Sequence, residues 1–107
     1  PLELLKRLTA ELDDLLNDPD LDAVVLATPV PTHAALAERV LDAGKHCFVE
    51  KPLAQSVADA ERAVAAAERA AKVLMVGHLL EYHPGVEVLK GIVDRGELGD
   101  VHYVYSN

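Results

Sequence analysis

The sequence has no tryptophan, a single cysteine, and no apolar run approaching the roughly 20 residues that a membrane-spanning helix needs. One thiol, Cys47, excludes an internal disulfide and fits a reducing compartment, so a cytoplasmic location is the expectation. The start of the chain lacks the basic and apolar segments of a secretory signal. It begins at Pro1 rather than at a methionine, which reads as processing or as a piece cut from a longer chain. Positive charge is also scarce. Ten Lys and Arg against eighteen Asp and Glu leave a formal net charge of -8, with the basic residues scattered. Nucleic acid and anionic membrane both require a clustered positive surface, and neither is expected as a partner. One phenylalanine and three tyrosines cannot fill an interior, so Ala, Val and Leu must build it.

No G-x-G-x-x-G, no G-x-x-x-x-G-K-[ST] and no G-x-S-x-G occurs, and the glycines at 77, 85, 91, 96 and 99 are too dispersed to cradle a phosphate. His78 and His83 are five apart across a break and lack zinc-site spacing, so no metal is expected. His46 and Cys47, adjacent on a strand, point to opposite faces and form no nucleophile-base pair. Cys47 reads as core and His102 as surface.

What the sequence does have is alternation. "PLELLKRLTAELDDLLND" carries leucine at helical spacing over residues 1–18, and the continuous apolar run after "LD" reads as a strand over 23–27, buried on both faces. "PTHAALAERVLDAG" reads as a helix with Thr32 as N-cap and Gly44 just past its end. "KHCFV" is a second strand (46–49). "SVADAERAVAAAERAAK" is a second helix opened by Ser56 with Asp59 three residues on, and "VLMVG" a third strand (73–76). Pro84 starts a further helix that Gly96 stops, and "VHYVYS" has the β-branched and aromatic character of a fourth strand. Strands alternating with helices imply an α/β fold, a partial three-layer αβα unit with a short parallel sheet, in one domain of 107 residues.

Ligands of an open parallel sheet bind beyond the carboxyl ends of its strands. Those ends here are "ATPVPTH" (27–33), "EKP" (50–52) and "GH" (77–78), so Thr28, His33, Glu50, Lys51 and His78 are expected on one rim. Taken alone, Glu50-Lys51-Pro52 is an ordinary strand stop, His33 an ordinary residue of a first helical turn, and His78 an ordinary loop residue. Their convergence is what suggests a site.

These residues resemble a family. "DAVVLATP" with a following His, "AGKHCFVEKP", the "GH" strand end and "GELGDV" occur in the order and spacing of the Gfo/Idh/MocA oxidoreductases, relatives of glucose-fructose oxidoreductase and inositol dehydrogenase. The resemblance covers about residues 9–107. It implies a Rossmann domain joined to a C-terminal α/β domain, with residues 97–107 at the start of the latter, and NAD or NADP as hydride carrier. It implies substrates among sugars, sugar nucleotides or cyclitols. By the same resemblance Ala27, Thr28 and Pro29 line the cofactor crevice, His33 lies near the nicotinamide-side ribose, and Glu50 contacts that ribose. Lys51 approaches the substrate hydroxyl as the catalytic residue, and the Lys51-Pro52 bond is cis. Pro52 and His78 complete the cofactor edge.

The family's glycine-rich first βαβ is not matched within the chain, nor is its downstream D-x-x-x-H pair, and "LLEYHP" replaces the usual Arg-aromatic-x-P. Without the glycine-rich turn dinucleotide affinity is expected to collapse, so the isolated chain is expected to hold no NAD or NADP stably and to be inactive. The alternative reading is a non-catalytic half-Rossmann unit, natural or engineered. A third is an interaction module using the leucine-rich helix. In the family's strand order the strand at 23–27 would lack its usual neighbour, so a homodimer through that edge is expected.

Overall fold

A computed structural model describes residues 11–106. The chain divides into two compact units, one ending at Gly77 and the other starting at His78, where one partial domain was expected.

The first unit contains α1 (Leu12–Leu16), β1 (Ala23–Leu26), α2 (His33–Asp42), β2 (His46–Val49), α3 (Val57–Ala70) and β3 (Leu74–Val76). The leucine-patterned helix expected over 1–18 is helical over Leu12–Leu16, and its first ten residues lie outside those described. The three strands form one parallel sheet in the order β1-β2-β3, with Leu26 level with Val49 and Val49 level with Val76. Two α-helical crossovers therefore return the chain to the same end of the sheet each time.

One face of the sheet is covered. Val24 and Leu26 of β1 and Cys47 and Val49 of β2 are buried with Ala37, Val40 and Leu41 of α2 and Ala66 and Ala67 of α3. Leu12, Leu15 and Leu16 of α1 pack against this cluster from its margin. Alanine is what lets α2 and α3 lie close to each other, since Ala37, Ala63 and Ala66 are fully buried and carry no side chain beyond Cβ. The expectation that 23–27 is buried on both faces is overturned. β1 alternates exposed and buried, with Val25 67% exposed. Val25 and Met75 point to the other face, where they are exposed, so among the described residues the first unit supplies the sheet and one helical layer. Two periodicities can produce an unbroken apolar run, and only the partners decide how many faces are covered.

Helix ends follow local chemistry with one exception. Gly44, at φ +76, follows α2 as expected. Ala71 takes the same left-handed position after α3 at φ +51, which costs an L-residue roughly 1–2 kcal/mol relative to glycine. Thr32 does not cap α2. A 3-10 turn over Val30–Thr32 precedes the helix, and the Thr32 hydroxyl donates to Pro29 O at 2.7 Å, so its oxygen is turned away from the helix amides.

Ser56 does cap α3. Its Oγ accepts from the Asp59 amide at 3.1 Å and donates to the Asp59 carboxylate at 2.7 Å. The Ser56 hydroxyl first, and the Arg62 guanidinium second, hold the Asp59 carboxyl below its ordinary range. A folded-state pKa below the unfolded one gives stability that is present above the unfolded carboxylate range and lost as pH falls through the folded value. Ser56→Ala is therefore expected to cost about 0.5–2 kcal/mol near neutrality, with a smaller penalty in acid. Urea titrations at several pH values read both effects.

The second unit begins with a 3-10 turn over Leu79–Tyr82, followed by α4 (Pro84–Asp94). The His83 ring accepts from the Gly85 amide at 3.0 Å to cap α4. Gly96 ends this segment at φ +69. The expected strand at 101–106 does not form. Val101, Tyr103, Val104 and Tyr105 are all exposed, and no ladder partner faces them among the described residues. Propensity alone cannot hold a strand whose backbone groups are unpaired.

No helix of the described residues is long and apolar enough to cross a membrane.

Candidate cofactor edge at the carboxyl ends of the strands

The ladder runs one row past the assigned strands. Glu50 N donates to Leu26 O at 3.0 Å and Gly77 N donates to Val49 O at 2.8 Å. Residues 27, 50 and 77 thus leave the sheet together, and the turns that follow β1 and β2 stand side by side. On them Ala27, Thr28, Pro29, Lys51 and Pro52 are exposed, while Glu50 is half-buried. The Lys51-Pro52 bond is cis.

His33 joins the two turns. Its ring is 1% exposed, with Nε2 2.7 Å from Thr28 O and Nδ1 2.8 Å from Pro52 O. Both nitrogens of the ring expected near a ribose therefore face backbone oxygens of the two turns. The Thr28 and Thr32 hydroxyls meet at 2.8 Å, which closes the first turn on itself.

Glu50 and Lys51 differ in how they are held. A Glu50 carboxylate oxygen lies 3.3 Å from the Lys51 amide and 3.5 Å from the place a Cβ would occupy on Gly77. The same added Cβ would stand 3.0 Å from Phe48 Cζ. Gly77 is thus the point where β3 lets Phe48 and Glu50 close in, which the sequence alone marked only as a strand end. Phe48 was not read as part of this edge at all; its signal was its alternation with buried Cys47 and Val49. Lys51 Nζ has no acidic partner among the described residues, and is free to meet an oxygen from outside the chain.

His78, expected on the same rim, opens the second unit as an exposed residue. Among the described residues no group of three or more His, Cys, Asp or Glu side chains could hold a metal ion.

A lysine at the amino ends of the strands has a different task. Lys45 is 5% exposed, and its Nζ donates to Asp18 O at 2.6 Å and Leu21 O at 2.8 Å, which fixes the turn that feeds β1. Cys47 is 2% exposed, and burial pushes its thiol up to about 11. Little thiolate exists at neutral pH, so alkylation by iodoacetamide is expected to be slow in the folded chain and fast in urea. Equal rates in the two conditions would place Cys47 outside the core.

The sequence matches, over residues 4–78, the profile described as "Oxidoreductase family, NAD-binding Rossmann fold". The match ends one residue past the end of the first compact unit. Among curated proteins, the chain is 38% identical over 96 residues to 1-carboxy-3-chloro-3,4-dihydroxycyclo hexa-1,5-diene dehydrogenase of Comamonas testosteroni, covering 90% of this chain and 24% of that protein. It is 38% identical over 94 residues to inositol 2-dehydrogenase of Salmonella typhimurium, covering 87% of this chain and 28% of that one. Among solved structures, the WlbA dehydrogenase from Bordetella pertussis, in complex with NADH and UDP-GlcNAcA, superposes with a TM-score of 0.78 at 33% identity, covering 87% of this chain and 27% of that one. The chain spans about a quarter of the length of these relatives. It belongs to the Gfo/Idh/MocA oxidoreductase family, within the NAD-binding Rossmann part that its first unit matches.

Proposed function

We propose that the first unit forms the nicotinamide-side edge of an NAD(P)-binding site in an oxidoreductase that acts on a hydroxyl of a sugar, sugar nucleotide or cyclitol. The observation that carries this reading is the pairing of the 27–33 and 50–52 turns at one end of a parallel sheet, tied through His33. Crevices in that position take dinucleotides in doubly wound folds. The residues present suit such a ligand. Ala27, Thr28 and Pro29 offer an exposed wall, and Glu50 offers a carboxylate that accepts from ribose hydroxyls. A bound dinucleotide would supply the hydride acceptor. Lys51, unpaired and beside that wall, orients the substrate hydroxyl and takes part in moving its proton.

Dinucleotide affinity in Rossmann folds leans on a glycine-rich turn and helix N-terminus that hold the pyrophosphate, and no such turn occurs in these 107 residues. The chain by itself is therefore expected to bind NADH and NADPH only in about the millimolar range. Adding the glycine-rich βαβ half of a relative as a separate polypeptide should bring affinity to about micromolar. The fluorescence of the reduced nicotinamide, excited at wavelengths where protein side chains do not absorb, reports both titrations. Failure of the added half to tighten binding would sink the reading.

A second reading concerns assembly and rests on the open edge of β1. β1 pairs only with β2 among the described residues, which leaves its other backbone edge without a neighbour there. An edge strand without a neighbour invites another strand, and the chain alone is expected to dimerise through it. Light scattering that returns a monodisperse monomer at high concentration contradicts this.

A further inference from the structure

The buried His33 ring faces two acceptors. Carbonyl oxygens of Thr28 and Pro52 lie 2.7 and 2.8 Å from its two nitrogens. A neutral imidazole has one N–H and one lone pair, so it can satisfy only one of these oxygens, and its other nitrogen would set a lone pair against the second. Both contacts are attractive only when both nitrogens carry protons. We propose that His33 is a positioning residue that donates, as an imidazolium, to both carbonyls and so fixes the 50–52 turn, with Lys51, against the 27–29 wall.

The surroundings are consistent with that charge being held by the carbonyls themselves. The 27–32 segment carries no titratable side chain. The 50–52 turn carries Glu50, half-buried, and Lys51, exposed. On α2 itself the nearest charged groups are Glu38 and Arg39, more than a turn further on, and α3 contributes Arg62, which pairs with Glu38 and Asp59. Burial and the α2 N-terminus both oppose a positive ring. Two short charge-assisted bonds to backbone oxygens oppose that penalty. The bridge is proton-dependent as a result: when one proton leaves, one of the two turns loses its donor. The assignment of a consequence to Lys51 rests on the function proposed above, whereas the bridge itself does not.

Nuclear magnetic resonance on the labelled chain, without cofactor, tests it. His33→Gln serves only to assign the His33 ring among the five histidines. The expected result, on titration between about pH 5 and pH 8, is a ring with two exchange-protected N–H groups at the acid end. The carbonyl carbons of Thr28 and Pro52 and the amide of Lys51 should then shift with the midpoint of the His33 ring. A ring that holds one proton throughout, or a titration that only one carbonyl follows, overturns the double donation. A Lys51 amide that ignores the ring midpoint overturns the positioning role. Weak or absent cofactor binding would bear on the proposed function and would leave these outcomes unchanged.

Discussion

Leu41→Ala is expected to lower the stability of the chain by about 2–5 kcal/mol. Leu41 is fully buried between the covered face of the sheet and α3, in a core whose other members are mostly Ala and Val. Alanine has no rotamer and valine few, so these members of the cluster cannot swing into the space, and only the leucines at its margin can fill it in part. Domains of this size are stable by about 5–15 kcal/mol in total, and the variant should unfold at a much lower urea concentration. Val25→Ala, on the uncovered face of the same sheet, should cost less than about 1 kcal/mol. Circular dichroism during urea titration of both variants decides the matter. Similar losses for the two would mean that both faces of the sheet are covered in solution.

Lys51 carries the second large effect. In a chimera that places this chain in the matching quarter of the Salmonella inositol 2-dehydrogenase, Lys51→Met is expected to lower kcat by about 10²–10⁴-fold, the usual span for losing a group that moves a proton. Methionine keeps the stem and removes the amine. Dinucleotide affinity should change little, because the exposed Nζ takes no part in holding the 50–52 turn, whose backbone is set by Pro52 O and the Glu50 amide. Steady-state kinetics beside a direct cofactor titration separate the two quantities. A variant that retains its turnover, or that loses cofactor affinity in proportion, contradicts the assignment.

The contrast between Leu41 and Val25 also shows how far the sequence could be read. The helices and strands were legible because α2 and α3 carry apolar residues at helical spacing and the three strands are short apolar runs bounded by charge, glycine or proline. Ser56 and Gly44 were legible because their chemistry is local. Thr32 was not, since its hydroxyl had two uses and Pro29 O won over the helix amides. The number of covered faces was not legible either: "AVVL" is equally apolar whichever face is packed, and the partners of β1 decide. The stretch at 101–106 looked like a strand because Val and Tyr favour strands, yet a ladder needs a neighbour that the described residues do not place there.

The rim was legible as a convergence of strand ends, and its residue types pointed to hydroxyl recognition through the family resemblance. Its internal wiring was not. That His33 would turn inward onto Thr28 O and Pro52 O follows from a contact between residues nineteen apart in sequence, and no local pattern encodes it. Gly77 likewise looked like a strand stop, and only the approach of Phe48 and Glu50 to its missing Cβ reveals the space it leaves.

The most direct test is to map NADH onto the isotope-labelled chain by following amide and carbonyl resonances during titration. The expected result is weak, saturable shifts concentrated at Ala27, Thr28, Glu50, Lys51 and Gly77, together with the carbonyl of Pro52. Shifts centred instead on the shallow groove lined by Val64, Glu68, Lys72 and Leu74, or none at millimolar cofactor, would contradict the assignment of this strand-end rim as a cofactor edge.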